Sequence, residues 1–239
     1  MKICKIFLLF AICMSCTGCF QIESNLKITE NGAVTMRNKF VGTPYITGII
    51  ENFKNNLLKN NPGAKVKSVA EGGFSGYEIE IFYPDLEKFA ANNIEMYQAR
   101  PGKCTGVQIS HGFFYDTCTF DLLFEGRKIE NSELAETMAQ TLLAQVIFNF
   151  TVELPYAAEN SNADFMSNDG KNLSWNIAPA LIHGQDKSMQ LSFKIYDKVK
   201  IAATVFIVLM FVAGVIYNLS QSGKKQPLKD DFNNEQENP

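Results

Sequence analysis

Hydrophobic positions alternate with polar ones from residue 20 onward. Phe20, Ile22, Leu26 and Ile28 are apolar, Asn31-Gly32 follows, and 33–41 alternates again. This predicts a β-hairpin, because Asn-Gly suits a type I′ turn. Thr43-Pro44 then opens a helix, with Thr as N-cap and Pro in the first turn. Ile46, Ile49, Ile50, Phe53 and Leu57 fall at helical spacing and predict one apolar face, ended by Asn61-Pro62-Gly63. Residues 65–70 and 77–83 predict a second strand pair around a glycine-rich turn. In the later strand Tyr77, Ile79, Ile81 and Tyr83 alternate with Glu78 and Glu80. Pro84-Asp85 begins a short helix to about residue 96, broken by Arg100-Pro101-Gly102.

A third hairpin is predicted over 105–110 and 113–124. Ser132 caps a helix over 133–145, with Leu134, Met138 and Leu142 on one face. Phe148, Phe150, Val152 and Leu154 then alternate with Asn149, Thr151 and Glu153 as far as Pro155, which predicts a strand. Residues 156–171 form a loop, and 172–177 and 188–196 are the last strands. The order predicts an α+β domain: a mostly antiparallel sheet with about three helices packed on it.

Two uncharged apolar runs flank this domain. The later, 201–219, reads IAATVFIVLMFVAGVIYNL. As a helix it spans about 28 Å, close to the hydrocarbon thickness of a bilayer. Lys198 and Lys200 precede it; Tyr217, Lys224 and Lys225 mark its other end. A buried core helix would keep some polar positions, and this run has no polar face. A transmembrane helix over 199–219 is therefore expected, with a disordered polar tail over 220–239.

The earlier run, 6–14, follows Lys2 and Lys5 and is too short to span. Small residues come next: Ser15, Cys16, Thr17, Gly18, then Cys19. Residues 1–18 read as a signal peptide. Their ending resembles the lipobox of bacterial lipoproteins, although Cys16 stands where that family usually has Leu. The resemblance implies diacylglyceryl attachment at Cys19 and cleavage before it; an unlipidated signal peptide is the alternative. Lysines lie on both sides of the later run and do not decide its orientation. The signal peptide does: residues 19–198 are exported and the tail stays in the cytoplasm.

Six cysteines, less Cys4, Cys13 and Cys16 in the signal and Cys19 at its end, leave Cys104 and Cys118. An even remainder in an exported chain predicts one disulfide, here across a short hairpin. A metal site is the weaker alternative, since no histidine pair accompanies them.

Composition narrows the function classes. With 22 basic and 25 acidic side chains the net charge is −3, which argues against nucleic acid as a partner. There is no G-x-S-x-G, no H-E-x-x-H and no phosphate-binding loop. The two histidines, His111 and His183, are far apart and read as turn residues. Glu78 and Glu80 read as the wet side of a half-buried sheet. Neither a cofactor nor a metal is expected, and no enzyme activity. Aromatics are the better clue, with 19 Phe and 8 Tyr. Phe113-Phe114-Tyr115 is a bulky cluster at a strand start. A packed core is its commoner fate; a membrane or ligand contact is the other. Trp175 reads as a packed strand residue.

The whole architecture resembles the LppM-type bacterial membrane lipoproteins. The resemblance rests on Cys19 followed by the hairpin Glu30-Asn31-Gly32-Ala33-Val34. It rests also on the strand ending in Leu154-Pro155, on Asn168-Asp169-Gly170-Lys171-Asn172-Leu173-Ser174-Trp175, and on the span with its tail. It implies a non-enzymatic, exported α+β domain, in a family some of whose members handle or sense envelope lipids. The leading expectation is a doubly anchored lipoprotein of the bacterial cytoplasmic membrane that binds lipid or lipid-linked envelope material. The alternative is a protein-interaction or signalling module with an envelope-protein partner. An apolar cavity would favour the first, and a filled core with a surface patch the second.

Overall fold

The computed structural model describes residues 20–91, 102–126 and 146–222. The signal peptide, Cys19, the helix expected over 133–145 and the tail from residue 223 lie outside the described residues. The chain divides into two units, 1–196 and 197–239.

The first unit is α+β, and its strands build two sheets rather than one. The larger has seven strands in the order β3-β4-β2-β1-β7-β10-β9. Its strands are β1 (Phe20–Ile28), β2 (Val34–Gly42), β3 (Lys65–Glu71), β4 (Phe74–Tyr83), β7 (Val146–Glu153), β9 (Phe165–Met166) and β10 (Asn172–Asn176). The smaller has four, β5 (Gly106–His111), β6 (Tyr115–Phe124), β11 (Lys187–Tyr196) and β8 (Asn160–Ser161), in the order β5-β6-β11-β8. Among the described residues all pairings are antiparallel except β1 with β7, which run parallel with Phe20 opposite Val146. The sequence spaces β1 and β7 more than a hundred residues apart, so no local pattern announces that pair. The polar stretch 156–171, expected as loop, supplies β8 and β9.

Period-two alternation puts one face of each sheet inward. Leu26, Met36, Ile79, Ile81, Phe150, Val152, Leu173 and Trp175 face Cys118, Phe120, Leu122, Met189, Leu191 and Phe193 in one core. The outward face of the larger sheet carries cross-strand ion pairs instead. Lys27 meets Glu153 at 2.5 Å, and Glu80 meets Arg37 at 2.9 Å and Lys65 at 3.1 Å. Arg37 first, then Lys65, holds the Glu80 carboxyl below the usual range. Glu80 thus has the solvated role expected of it.

The first hairpin departs from the expected turn. Ile28 pairs with Val34, which leaves a wider loop, and among the described residues none other than glycine has positive φ. Gly32, at φ 81°, takes the left-handed position alone. Asn31 accepts a hydrogen bond from the Thr29 hydroxyl at 2.5 Å instead of adopting that conformation.

The first helix also departs. Pro44–Ile46 is a single 3₁₀ turn, Thr43 makes no side-chain cap, and α1 (Thr47–Asn60) starts after it. Only Ile50 of α1 is fully buried. Phe53 stacks on Phe40 at 5.6 Å and Phe20 at 6.2 Å yet stays partly exposed. α2 (Leu86–Ala91) is capped by Asp85, whose carboxylate accepts the Lys88 N–H at 2.7 Å. α3 (Ala178–Ile182) links the sheets.

The second unit contains α4 (Lys198–Ser222). Within Lys198–Gln221 an 18-residue stretch has a mean hydropathy of 2.6 and none of it is buried, so α4 is long and apolar enough to cross a membrane.

A candidate apolar contact at the tip of the β5–β6 hairpin

The β5–β6 register pairs His111 with Asp116 and Ile109 with Cys118. The connection is therefore only Gly112 to Tyr115. Gly112 donates its N–H to the Tyr115 carbonyl at 3.0 Å and closes the turn. A Cβ on Gly112 would lie 2.4 Å from that same oxygen, so the tight turn depends on glycine.

This turn lifts Phe113 and Phe114 out of the sheet. Phe113 is 68% exposed, and Phe114 and Tyr115 are exposed with it. The two Phe rings pack edge to face at 4.8 Å. The core reading of this cluster is thereby overturned: core positions of β6 begin at Cys118, and the tip lies beyond the reach of the larger sheet. A hollow of about 400 Å³ runs along the tip, lined by Ser110, His111, Phe113, Tyr115 and Thr117.

The neighbouring strand widens the aromatic surface. Tyr196, the last residue of β11, sits opposite Tyr115, and their rings pack at 5.9 Å. Tyr156 packs on Tyr196 at 5.0 Å. Lys194 holds its ammonium 4.5 Å above the Tyr115 ring and pairs with Glu159 at 2.6 Å. Glu159 raises the Lys194 pKa, so the lysine stays charged at any physiological pH. His111 lies 3.3 Å from Asp116 and 3.7 Å from Glu87 of α2. Sequence reasoning placed His111 in a turn and missed both carboxylates, because Glu87 is brought in only by tertiary folding.

No family model matches the chain, and no curated protein matches it. One solved structure is similar. It is the NMR structure of the folded domain of LppM from Mycobacterium tuberculosis. The likeness has a TM-score of 0.44 at 11% identity and covers 77% of this chain and 94% of that one. At that level it assigns no site residue.

The disulfide expected between Cys104 and Cys118 is not found in the structure. Cys104 and Cys118 are both buried and no bond joins them. Cys118 stands opposite Ile109, five residues from Cys104 along the same side of the hairpin. Burial pushes the Cys118 thiol up to about 12, with Asp116 and Glu87 adding to it. Such a thiol stays protonated and inert. Among the described residues, no three metal-ligating side chains converge.

Sequence reasoning also missed Asn162. Its side-chain oxygen accepts the Trp175 indole N–H at 2.9 Å and the Gln190 N–H at 2.7 Å. It thereby ties the larger sheet to the smaller. Two residues on, Asp164 meets Lys187 at 2.7 Å and accepts the Asn176 N–H at 2.8 Å. Burial pushes the Asp164 carboxyl up, but Lys187 and Asn176 outweigh that and hold it below the usual range.

Proposed function

We propose that the protein is a non-enzymatic lipoprotein of the bacterial cytoplasmic membrane whose exported domain binds lipid or lipid-linked envelope material. The observation that carries the reading is the exposed Phe113-Phe114 tip beside Tyr196, two residues before the apolar helix begins. A pair of exposed phenylalanines flanked by tyrosines and a charged lysine suits the boundary between headgroups and acyl chains. The proposed anchors are Cys19, through its diacylglyceryl group, and α4. The tail is assigned to the cytoplasm. The hollow along the tip is open, so the contact proposed is with lipid at a surface. A protein partner at the same patch is the second reading, favoured by that surface character.

The test is native mass spectrometry of the full chain in nanodiscs, with lipid extraction. The expected result is stoichiometric lipid on the wild type and severalfold less on a Phe113→Ser, Phe114→Ser double variant. Equal retention by the two overturns the lipid reading and turns the search to partners of the tip.

A further inference from the structure

The two anchors leave the domain at opposite ends. Cys19 adjoins Phe20 at the start of β1, and α4 begins two residues beyond Tyr196 at the end of β11. Contacts at both ends fix which way β11 runs. Phe124 stands opposite Lys187, the first residue of β11, and its ring meets Phe148 at 5.6 Å. Phe148 in turn pairs with Ile22 near the start of β1. At the other end, Ile195 lies 4.0 Å from where a Cβ on Gly32 would sit, in the turn that follows β1. His111, beside the tip, meets Glu87, which follows the β4 residue Tyr83 that pairs with Val34. β11 therefore starts near the start of β1 and finishes near its end.

Nine residues of β1 cover about 26 Å. The slack is one residue at the Cys19 end and two at the other, about 11 Å in all. With its strands upright, the domain would hold one anchor well clear of the bilayer. Withdrawing an acyl chain costs about 0.8 kcal/mol for each CH₂ returned to water.

We propose that the domain lies along the membrane, its β1 and β11 strands parallel to the bilayer plane, and makes a second lipid contact through one face of the 3₁₀ turn and α1. This rests on Cys19 and α4 being anchors in one membrane. The second contact is Tyr45, Ile49 and Phe53, spaced by four residues. Tyr45 is 97% exposed, and Ile49 and Phe53 are exposed with it. Phe53 stacks on Phe20, so this strip begins beside the first residue after Cys19. Phe20 and Phe40 place α1 on the inward face of the larger sheet, the face that the smaller sheet and its tip also occupy. The opposite face carries the ion pairs of Lys27, Arg37, Lys65 and Glu80 and belongs in water. One side of the domain is thus apolar at both ends, and the other sets its ion pairs among the exposed Phe82, Ile147 and Phe165.

The test uses tryptophan quenching by brominated phosphatidylglycerol and phosphatidylethanolamine in vesicles containing the full-length protein. Trp175 is the single native tryptophan and is fully buried, so the wild type serves as the blank. Tyr45→Trp, Phe113→Trp and Lys65→Trp each change an exposed side chain and leave the core intact. The expected result is strong quenching at positions 45 and 113 and none at 65. In Cys19→Ala, quenching at 45 falls severalfold while quenching at 113 persists. No quenching at 45, or quenching at 65 equal to that at 45, overturns the proposal. The intact mass of the same wild-type sample separates this from the anchoring itself. A protein lacking the diacylglyceryl mass refutes lipidation of Cys19, whereas quenching at 45 still decides whether the α1 strip touches lipid.

Discussion

One hairpin gives its phenylalanines two fates. Phe120 and Phe124 of β6 are buried, Phe120 between Phe89 at 5.9 Å and Phe193 at 5.7 Å. Phe113 and Phe114, a few residues earlier, stand in the open. Residue type is the same and the distance in sequence is small. What differs is the layer opposite. Phe120 faces the larger sheet, and the tip has passed its edge. Hydrophobicity therefore stabilises the fold at one end of the hairpin and is left over for an outside contact at the other.

Phe120→Ala should break the buried end. Truncating a fully buried Phe costs about 3–5 kcal/mol, which a denaturant titration of the full chain in nanodiscs, followed by Trp175 fluorescence, will show. A loss under 1 kcal/mol would mean that the buried end is no better packed than the tip.

Asn162→Ala should cost less, about 1–3 kcal/mol, because it leaves the Trp175 N–H buried without its acceptor. The same titration measures it, and alkylation of Cys118 gives an independent reading. A thiol pushed up to about 12 reacts only when the domain opens, so the variant should be labelled faster in proportion to its lost stability. Unchanged labelling would remove Asn162 from the join between the sheets.

Acid should loosen the same join. A carboxyl held below its ordinary value when folded stabilises the protein above about pH 4 and loses that contribution as pH falls through its folded value. Asp164 is such a group. It is partly exposed, so its pairing with Lys187 contributes at most about 1 kcal/mol. Asp164→Asn should lower stability slightly at pH 7 and flatten the decline on acidification. A wild-type decline matched by the variant would assign the acid sensitivity elsewhere.

Smallest is the effect on stability of Phe113→Ser with Phe114→Ser, within about 0.5 kcal/mol. A loss comparable to that of Phe120→Ala would show that the tip is core after all and end the contrast.

The strands were legible because burial on one face imposes a period of two. Phe148, Phe150 and Val152, or Tyr77, Ile79 and Ile81, announce themselves locally. The β1–β7 pair did not, since a parallel pairing across more than a hundred residues leaves no mark on either strand alone. The α1 face was half legible. Its helical spacing was read correctly, and Ile50 is buried with Ile46 and Leu57 packed against the core, yet Ile49 is exposed and Phe53, stacked on Phe20 and Phe40, remains partly so. The tip residues were found by their bulk, but their exposure was not.

By itself the sequence determined the α+β class, most strand positions, the apolar C-terminal helix and the residues of the aromatic tip. Each follows from local periodicity, length or composition. Only the tertiary structure decided the division into two sheets and the exposure of Phe113. It also decided the opposite exits of Phe20 and Tyr196. Those depend on register and on which layer lies opposite, and both are set by contacts between segments distant in the chain.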